Sequence, residues 1–148
     1  MNSHVSDGSE RSGLTCQPLS VLGIGTDIIE CDRITRMLDR HGDLFVRRVF
    51  TPNEIDYCSG RKMAYQHYAG RWAAKEAVLK TLGTGWSQGI HWTDVEMLHQ
   101  VEGQPLIVLH DQALEVSRQL GIVQILISIS HTRAHAVAFA TALGHRSN

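Results

Sequence analysis

The stretch Arg71-Trp72-Ala73-Ala74-Lys75-Glu76-Ala77-Val78-Leu79-Lys80 reads as a helix with a carboxylate out of place. On a helical wheel Glu76 stands at the centre of a stripe made by Ala69, Trp72, Ala73, Leu79, Lys80 and Gly83, at spacings of three, four and seven from it. A stripe that carries Trp and Leu faces an interior. An ionised carboxylate there must be paired, hydrogen-bonded or bound to a metal, because desolvating it alone is costly. Lys80, four residues on, supplies the plain alternative, a Glu–Lys pair worth about 0.2–0.5 kcal/mol on an exposed helix. Both readings of Glu76 stand at this point.

A second carboxylate lies in Val21-Leu22-Gly23-Ile24-Gly25-Thr26-Asp27-Ile28-Ile29, which reads as a buried strand. With period two, Gly23, Gly25 and Asp27 share one face, and Leu22, Ile24 and Ile28 the other. The glycines leave room beside that face for another backbone or a ligand. Asp27 is then either an N-cap for the following helix or a group aimed at that space. Gly23-x-Gly25 lacks the third glycine of a dinucleotide fingerprint. Two carboxylates from separate elements, with a lysine nearby, suit a hard divalent cation that also binds phosphate. Lys80 precedes the glycine turn Gly83-Thr84-Gly85 by one helical turn, a weak signal for a pyrophosphate site.

Together these residues resemble the holo-[acyl-carrier-protein] synthases, the small phosphopantetheinyl transferases. The resemblance rests on Ile24-Gly25-Thr26-Asp27-Ile28, Phe50-Thr51-x-x-Glu54, Trp72-Ala73-Ala74-Lys75-Glu76-Ala77-x-x-Lys80, Gly83-Thr84-Gly85, Gly103-x-Pro105 and Ile127-Ser128-Ile129-Ser130-His131-Thr132. It implies transfer of 4′-phosphopantetheine from coenzyme A to a serine of apo-acyl carrier protein, leaving adenosine 3′,5′-bisphosphate. It further implies that Asp27 and Glu76 hold Mg²⁺, with Mn²⁺ equally suited to oxygen ligands. Lys80, His131 and the Gly83-Thr84-Gly85 turn then contact coenzyme A phosphates, with Pro105 at the pocket and Arg61 or Lys62 at the 3′-phosphate. Lys75 falls beside the reacting centre, so either it or Glu76, through a water, takes the serine proton. A homotrimer with active sites between subunits is implied as well. Trp86 departs from the pattern, being large for a place directly after the glycine turn.

Arg33, Arg36, Met37 and Arg40 lie at spacings of three, four and seven in a helix whose charges suit its dipole. This basic face resembles the docking helix for acidic carrier proteins, with Arg33, Met37 and Arg40 as its contacts. A solvated charged face is the alternative. The net charge of −1 means that any steering of an acidic partner is local.

The chain's 148 residues fit one domain over 21–148, and its 43% hydrophobic and 20% charged content is that of an ordinary folded protein. Residues 1–20 are polar, lack the apolar core of a signal peptide and read as a flexible tail. Neither a membrane nor a nucleic acid is expected as partner. Cys16, Cys31 and Cys58 are odd in number and lack metal spacing, which points to a reducing cytoplasm.

The expected layout is a strand at 21–28, helices at 30–40, 43–48, 52–59 and 63–82, and strands at 91–99 and 105–110. A helix at 111–120 and a hairpin at 124–130 and 134–141 complete it. Thr51-Pro52-x-Glu54 is a helix start in which Glu54 serves as a cap. The irregular alternation implies α+β, a small mostly antiparallel sheet packed with a long central helix, as in the phosphopantetheinyl transferase fold. The apolar strand Ala136–Ala140 must be covered, by the fold or by another subunit. Two other classes are compatible with the carboxylates, a metal-dependent phosphohydrolase and a non-catalytic module that binds carrier protein or coenzyme A.

Overall fold

The computed structural model describes residues 18–146. The tail expected over residues 1–20 lies, up to residue 17, outside the described residues, as does Cys16. The elements run β1 (Ser20–Glu30), α1 (Cys31–Val49), α2 (Pro52–Ser59), α3 (Ala64–Leu82), a 3₁₀ turn (Trp92–Asp94), β2 (Val95–His99), β3 (Pro105–Leu109), α4 (Asp111–Gln119), β4 (Ile122–His131) and β5 (His135–Gly144). β5 is the middle strand of an antiparallel sheet ordered β1-β5-β4, and β2 and β3 form a separate antiparallel ribbon. The α+β expectation therefore holds.

α3 is the core. Ala69, Ala73, Ala74, Ala77 and Val78 are fully buried, and its long apolar side chains are nearly so. Small residues let the sheet approach closely. A Cβ on Gly23 would sit 2.5 Å from the Thr81 carbonyl oxygen, and one on Gly25 would collide with the Ala77 carbonyl. The space beside Gly23 and Gly25 is thus filled by the backbone of α3. The glycines hold Asp27 against the helix, where the sequence also allowed an open surface.

Several boundaries differ from expectation, each for a local reason. β1 continues to Glu30, paired with His135, so Asp27 lies inside the strand and does not cap α1. The two helices expected at 30–40 and 43–48 are run together, broken at Gly42, whose φ of 51° and ψ of −132° fall outside the helical region. The residues Trp92–Asp94 form a 3₁₀ turn in place of the start of a strand.

The outer face of the sheet is the main surprise. β1 reads as a buried strand, yet Ile24 is 62% and Ile28 66% exposed, and Val123 and Leu126 of β4 and Val137 and Phe139 of β5 are exposed beside them. Ala136–Ala140 is no free edge, because β5 lies between β1 and β4. Its alanines face α3 while Val137 and Phe139 face outward. Among the described residues no helix is long and apolar enough to cross a membrane.

Candidate active site

In its otherwise buried C-terminal half α3 brings two side chains towards solvent. Glu76 is only partly buried and Lys80 is exposed, while their neighbours Lys75, Ala77, Val78 and Leu79 are buried. Glu76 is therefore where the helix emerges, rather than a carboxylate inside the core. Lys80 does not pair with it. Its Nζ lies 3.3 Å from Asp27 Oδ1 and donates to the Thr26 carbonyl at 2.6 Å. Glu76 Oε1 accepts instead from Trp86 Nε1 at 3.2 Å. Because Gly25 brings β1 against Ala77 and Lys80, Asp27 joins the same side of α3 as Glu76.

No cluster of three or more His, Cys, Asp or Glu suited to a metal is present among the described residues. Asp27 and Glu76 are two carboxylates from two elements. That donor set fits Mg²⁺, which keeps several waters and uses one or two protein carboxylates plus substrate phosphate. Beside them α3 ends at Gly83, left-handed with φ 70°, whose N–H bonds to the Lys80 carbonyl. Gly85 is also left-handed, and Thr84 Oγ1 donates to its carbonyl.

Lys75, expected beside the reacting centre, is completely buried, paired with Glu54 Oε2 at 2.8 Å and donating to the carbonyls of Trp92 and Val95. Burial drives its pKa down from the usual lysine value, with Glu54 opposing. Consecutive helix residues point about 100° apart, so Lys75 and Glu76 serve different sides of α3. Glu54 caps α2 as expected, in a full capping box with Thr51, and also accepts from the Met97 N–H.

A second, cationic site lies at the other end of α3, against β4. A cavity of about 270 Å³ is lined by Tyr57, His67, Arg71, His99, Pro105 and His131, among others, with no carboxylate in its lining. Arg71 is nearly buried, and its Nε has no hydrogen-bond partner. Its guanidinium lies 4.1 Å and that of Arg61 3.8 Å from the Tyr57 ring centroid, and His99 stacks on the same ring at 4.5 Å. Burial first, and then the arginines, push the His67 and His99 pKa values down. A buried, underused guanidinium among histidines is a seat for an anion. The sequence pointed to Arg61, Pro105 and His131 here but missed Tyr57, His67, Arg71 and His99, which come from three separate elements, α2, α3 and β2. Lys62 is exposed just before α3 and does not line this cavity.

The basic face forms as expected. Arg33, Arg36, Met37 and Arg40 border one surface groove on α1. Next to it lies an apolar groove of about 460 Å³ whose lining includes Met37, Leu44, Phe45, Trp72 and Trp92, with Leu44 82% exposed.

The family model for the 4′-phosphopantetheinyl transferase superfamily matches residues 23–140. The chain is 50% identical over 119 residues to a holo-[acyl-carrier-protein] synthase of Protochlamydia amoebophila, covering 80% of this chain and 95% of that one. Among solved structures it is similar to the acyl carrier protein synthase of Plasmodium yoelii with ADP bound, at TM-score 0.77 and 31% identity over 88% of this chain and 100% of that one. It is similar also to the Helicobacter pylori holo-[acyl-carrier-protein] synthase in complex with coenzyme A, at TM-score 0.71 and 29% identity over 80% and 98%.

Proposed function

The chain belongs to the 4′-phosphopantetheinyl transferase superfamily, and from that premise we propose how its residues divide the work of the reaction. The reaction transfers 4′-phosphopantetheine from coenzyme A to a serine of apo-acyl carrier protein. The serine Oγ bonds to the β-phosphorus, the bridging P–O bond breaks, and adenosine 3′,5′-bisphosphate leaves.

Asp27 and Glu76 would hold Mg²⁺, with Mn²⁺ as an acceptable substitute. Bound there, the cation neutralises charge on the pyrophosphate and its leaving group. Lys80, already drawn to Asp27, places an ammonium where phosphate oxygens approach, and the Gly83-Thr84-Gly85 turn, left-handed at both glycines, leaves its backbone accessible beside them. Burial of Lys75 supports Glu76, acting through a water, as the group that takes the serine proton.

The Asp27–Lys80 contact beside Glu76 is the observation that carries this reading, since it draws two carboxylates and an ammonium from β1 and α3 to one side of the helix. The cationic cavity takes the phosphorylated adenosine end, with Arg71, Arg61 and His131 as donors. It shares no lining residue with the carboxylate site. Gly70, at the cavity, and Ala77, at Gly25, lie seven residues apart on α3, about 10 Å along the helix. One coenzyme A reaches both halves when a neighbouring subunit supplies the cavity. The exposed apolar face of β1, β5 and β4 is a surface suited to that assembly, which we read as a homotrimer. α1 receives the carrier protein, its arginines meeting acidic side chains while the apolar groove takes a hydrophobic one.

The test is intact mass of an apo-acyl carrier protein after incubation with this protein, coenzyme A and Mg²⁺. A gain of one phosphopantetheine that disappears on chelation is expected. Coenzyme A consumed without that gain would indicate a hydrolase, and no change in either would leave a binding module.

A further inference from the structure

Trp86 follows Gly85 directly, in a loop that doubles back on α3. Gly83, Gly85, Gln88 and Gly89 all have positive φ, which keeps the segment compact, and Ser87 ties it through its N–H and hydroxyl to the Thr84 carbonyl. The indole of Trp86 packs on Trp92 with ring centroids 3.7 Å apart, and Trp92 packs on Trp72 at 4.2 Å. The carbonyl of Trp92 is in turn held by the buried ammonium of Lys75. Trp86 is therefore fixed through a stack of rings that ends in the core. From that fixed position its Nε1–H donates to Glu76 Oε1 at 3.2 Å.

Among the described residues no other hydrogen bond or ion pair holds the Glu76 carboxylate. Lys80, four residues on and the expected partner, is engaged with Asp27 and the Thr26 carbonyl. An indole N–H donates only, and an ionised carboxylate has about four acceptor sites, so one bond from Trp86 leaves Glu76 able to ligate. A glutamate side chain that is free to rotate loses that freedom when it binds a cation. A donor that restrains it beforehand removes part of the loss, as outer partners of metal ligands do.

We propose that Trp86 is a positioning residue for Glu76, its indole N–H setting the carboxylate for the divalent cation and coupling the loop after α3 to metal affinity. This rests on the assignment of Glu76 as a metal ligand. The aromatic stack is the means of precision and the N–H is the contact, so the two are separable by substitution. Trp86→Phe keeps a ring on Trp92 and removes the donor. Trp92→Phe keeps the donor and alters the stack.

The experiment measures Mn²⁺ binding by electron paramagnetic resonance, with coenzyme A present, for the wild-type protein and both variants, alongside thermal melting. Trp86→Phe should bind Mn²⁺ about tenfold more weakly, and Trp92→Phe, which keeps the donor but loosens the ring that fixes it, should be weakened distinctly less. In turnover, Trp86→Phe should raise the Mg²⁺ needed for half-maximal rate about tenfold. Its kcat at saturating Mg²⁺ and its KM for carrier protein should stay near wild type. Unchanged Mn²⁺ affinity in Trp86→Phe, or equal weakening in both variants, would overturn the proposal. Absence of Mn²⁺ binding by the wild-type protein would instead remove the metal assignment, and this inference with it.

Discussion

Lys75 Nζ and Glu54 Oε2 lie 2.8 Å apart with both side chains fully buried, one residue before Glu76, the carboxylate proposed to hold the cation. Two ions removed from water are tolerated here because each is fully bonded. Lys75 reaches two carbonyls as well, and Glu54 takes the Thr51 and Met97 N–H groups. The pair locks α2, α3 and β2 together and so sets the rotation of α3 that brings Glu76 to the surface.

Truncating Lys75 should damage the fold rather than the reaction. Lys75→Ala leaves Glu54 buried without its partner and should cost about 3–5 kcal/mol. Denaturant unfolding would read this, and kcat per folded molecule should stay within a few-fold of wild type. A variant that folds normally and has lost turnover would return Lys75 to the reacting centre.

The surface carboxylates should behave in the opposite way. Asp27→Asn and Glu76→Gln should each lower kcat/KM by at least about 100-fold with melting temperature nearly unchanged. Steady-state transfer assays over a range of Mg²⁺ concentrations check this, and retained activity in both would defeat the assignment.

Charge on α1 should govern the carrier protein alone. Arg33→Glu should raise KM for the carrier protein about three- to tenfold, more at low salt than at high, and leave KM for coenzyme A unchanged. An equal rise in both KM values would place Arg33 elsewhere in the mechanism.

The exposed sheet face should be an interface. Ile28→Lys puts a charge at a residue that is 66% exposed in the single chain and surrounded by Ile24, Val137 and Phe139. Light scattering after size exclusion should give a trimer for wild type and a monomer for the variant, with transfer lost in step. A monomeric, active wild-type protein would exclude active sites shared between subunits.

The histidine cavity implies a pH dependence that a bound phosphate opposes. His67 and His99 have lowered pKa values, through burial and then through the arginines, so below their unfolded value of about 6.5 the unfolded chain holds more protons. Stability should thus fall as pH drops below about 6.5, towards the lowered folded values. A bound phosphate favours the charged rings. Adenosine 3′,5′-bisphosphate should therefore raise the melting temperature more at pH 6.5 than at pH 8, and His67→Asn/His99→Asn should flatten the difference. Equal shifts in wild type and variant would remove these histidines from phosphate binding.

What was legible in the sequence follows from what is local. Thr51-Pro52-x-Glu54 specifies a helix start through its own backbone and side chains, and α2 spans Pro52–Ser59 as expected. The spacing of Arg33, Met37 and Arg40 specifies one helix face, and the three share a groove. Alternation along β4 was harder to read, because Ile125, Leu126, Ile127 and Ile129 look alike whether a face is covered by α3 or by another subunit.

By itself the sequence determined which residues carry charge and which helix and strand present them. Asp27, Glu76 and Lys80 follow from periodicity and from a recognisable order of motifs. Only the tertiary structure decided how those charges pair. Lys80 turned from Glu76, its neighbour in the helix, to Asp27, 53 residues away, because Gly25 lets β1 press against α3. Lys75 and Glu76, adjacent in the chain, were separated into core and surface by the rotation of α3. Local spacing limits what a side chain can reach; which partner it takes depends on what the fold brings near and on how much water it leaves behind.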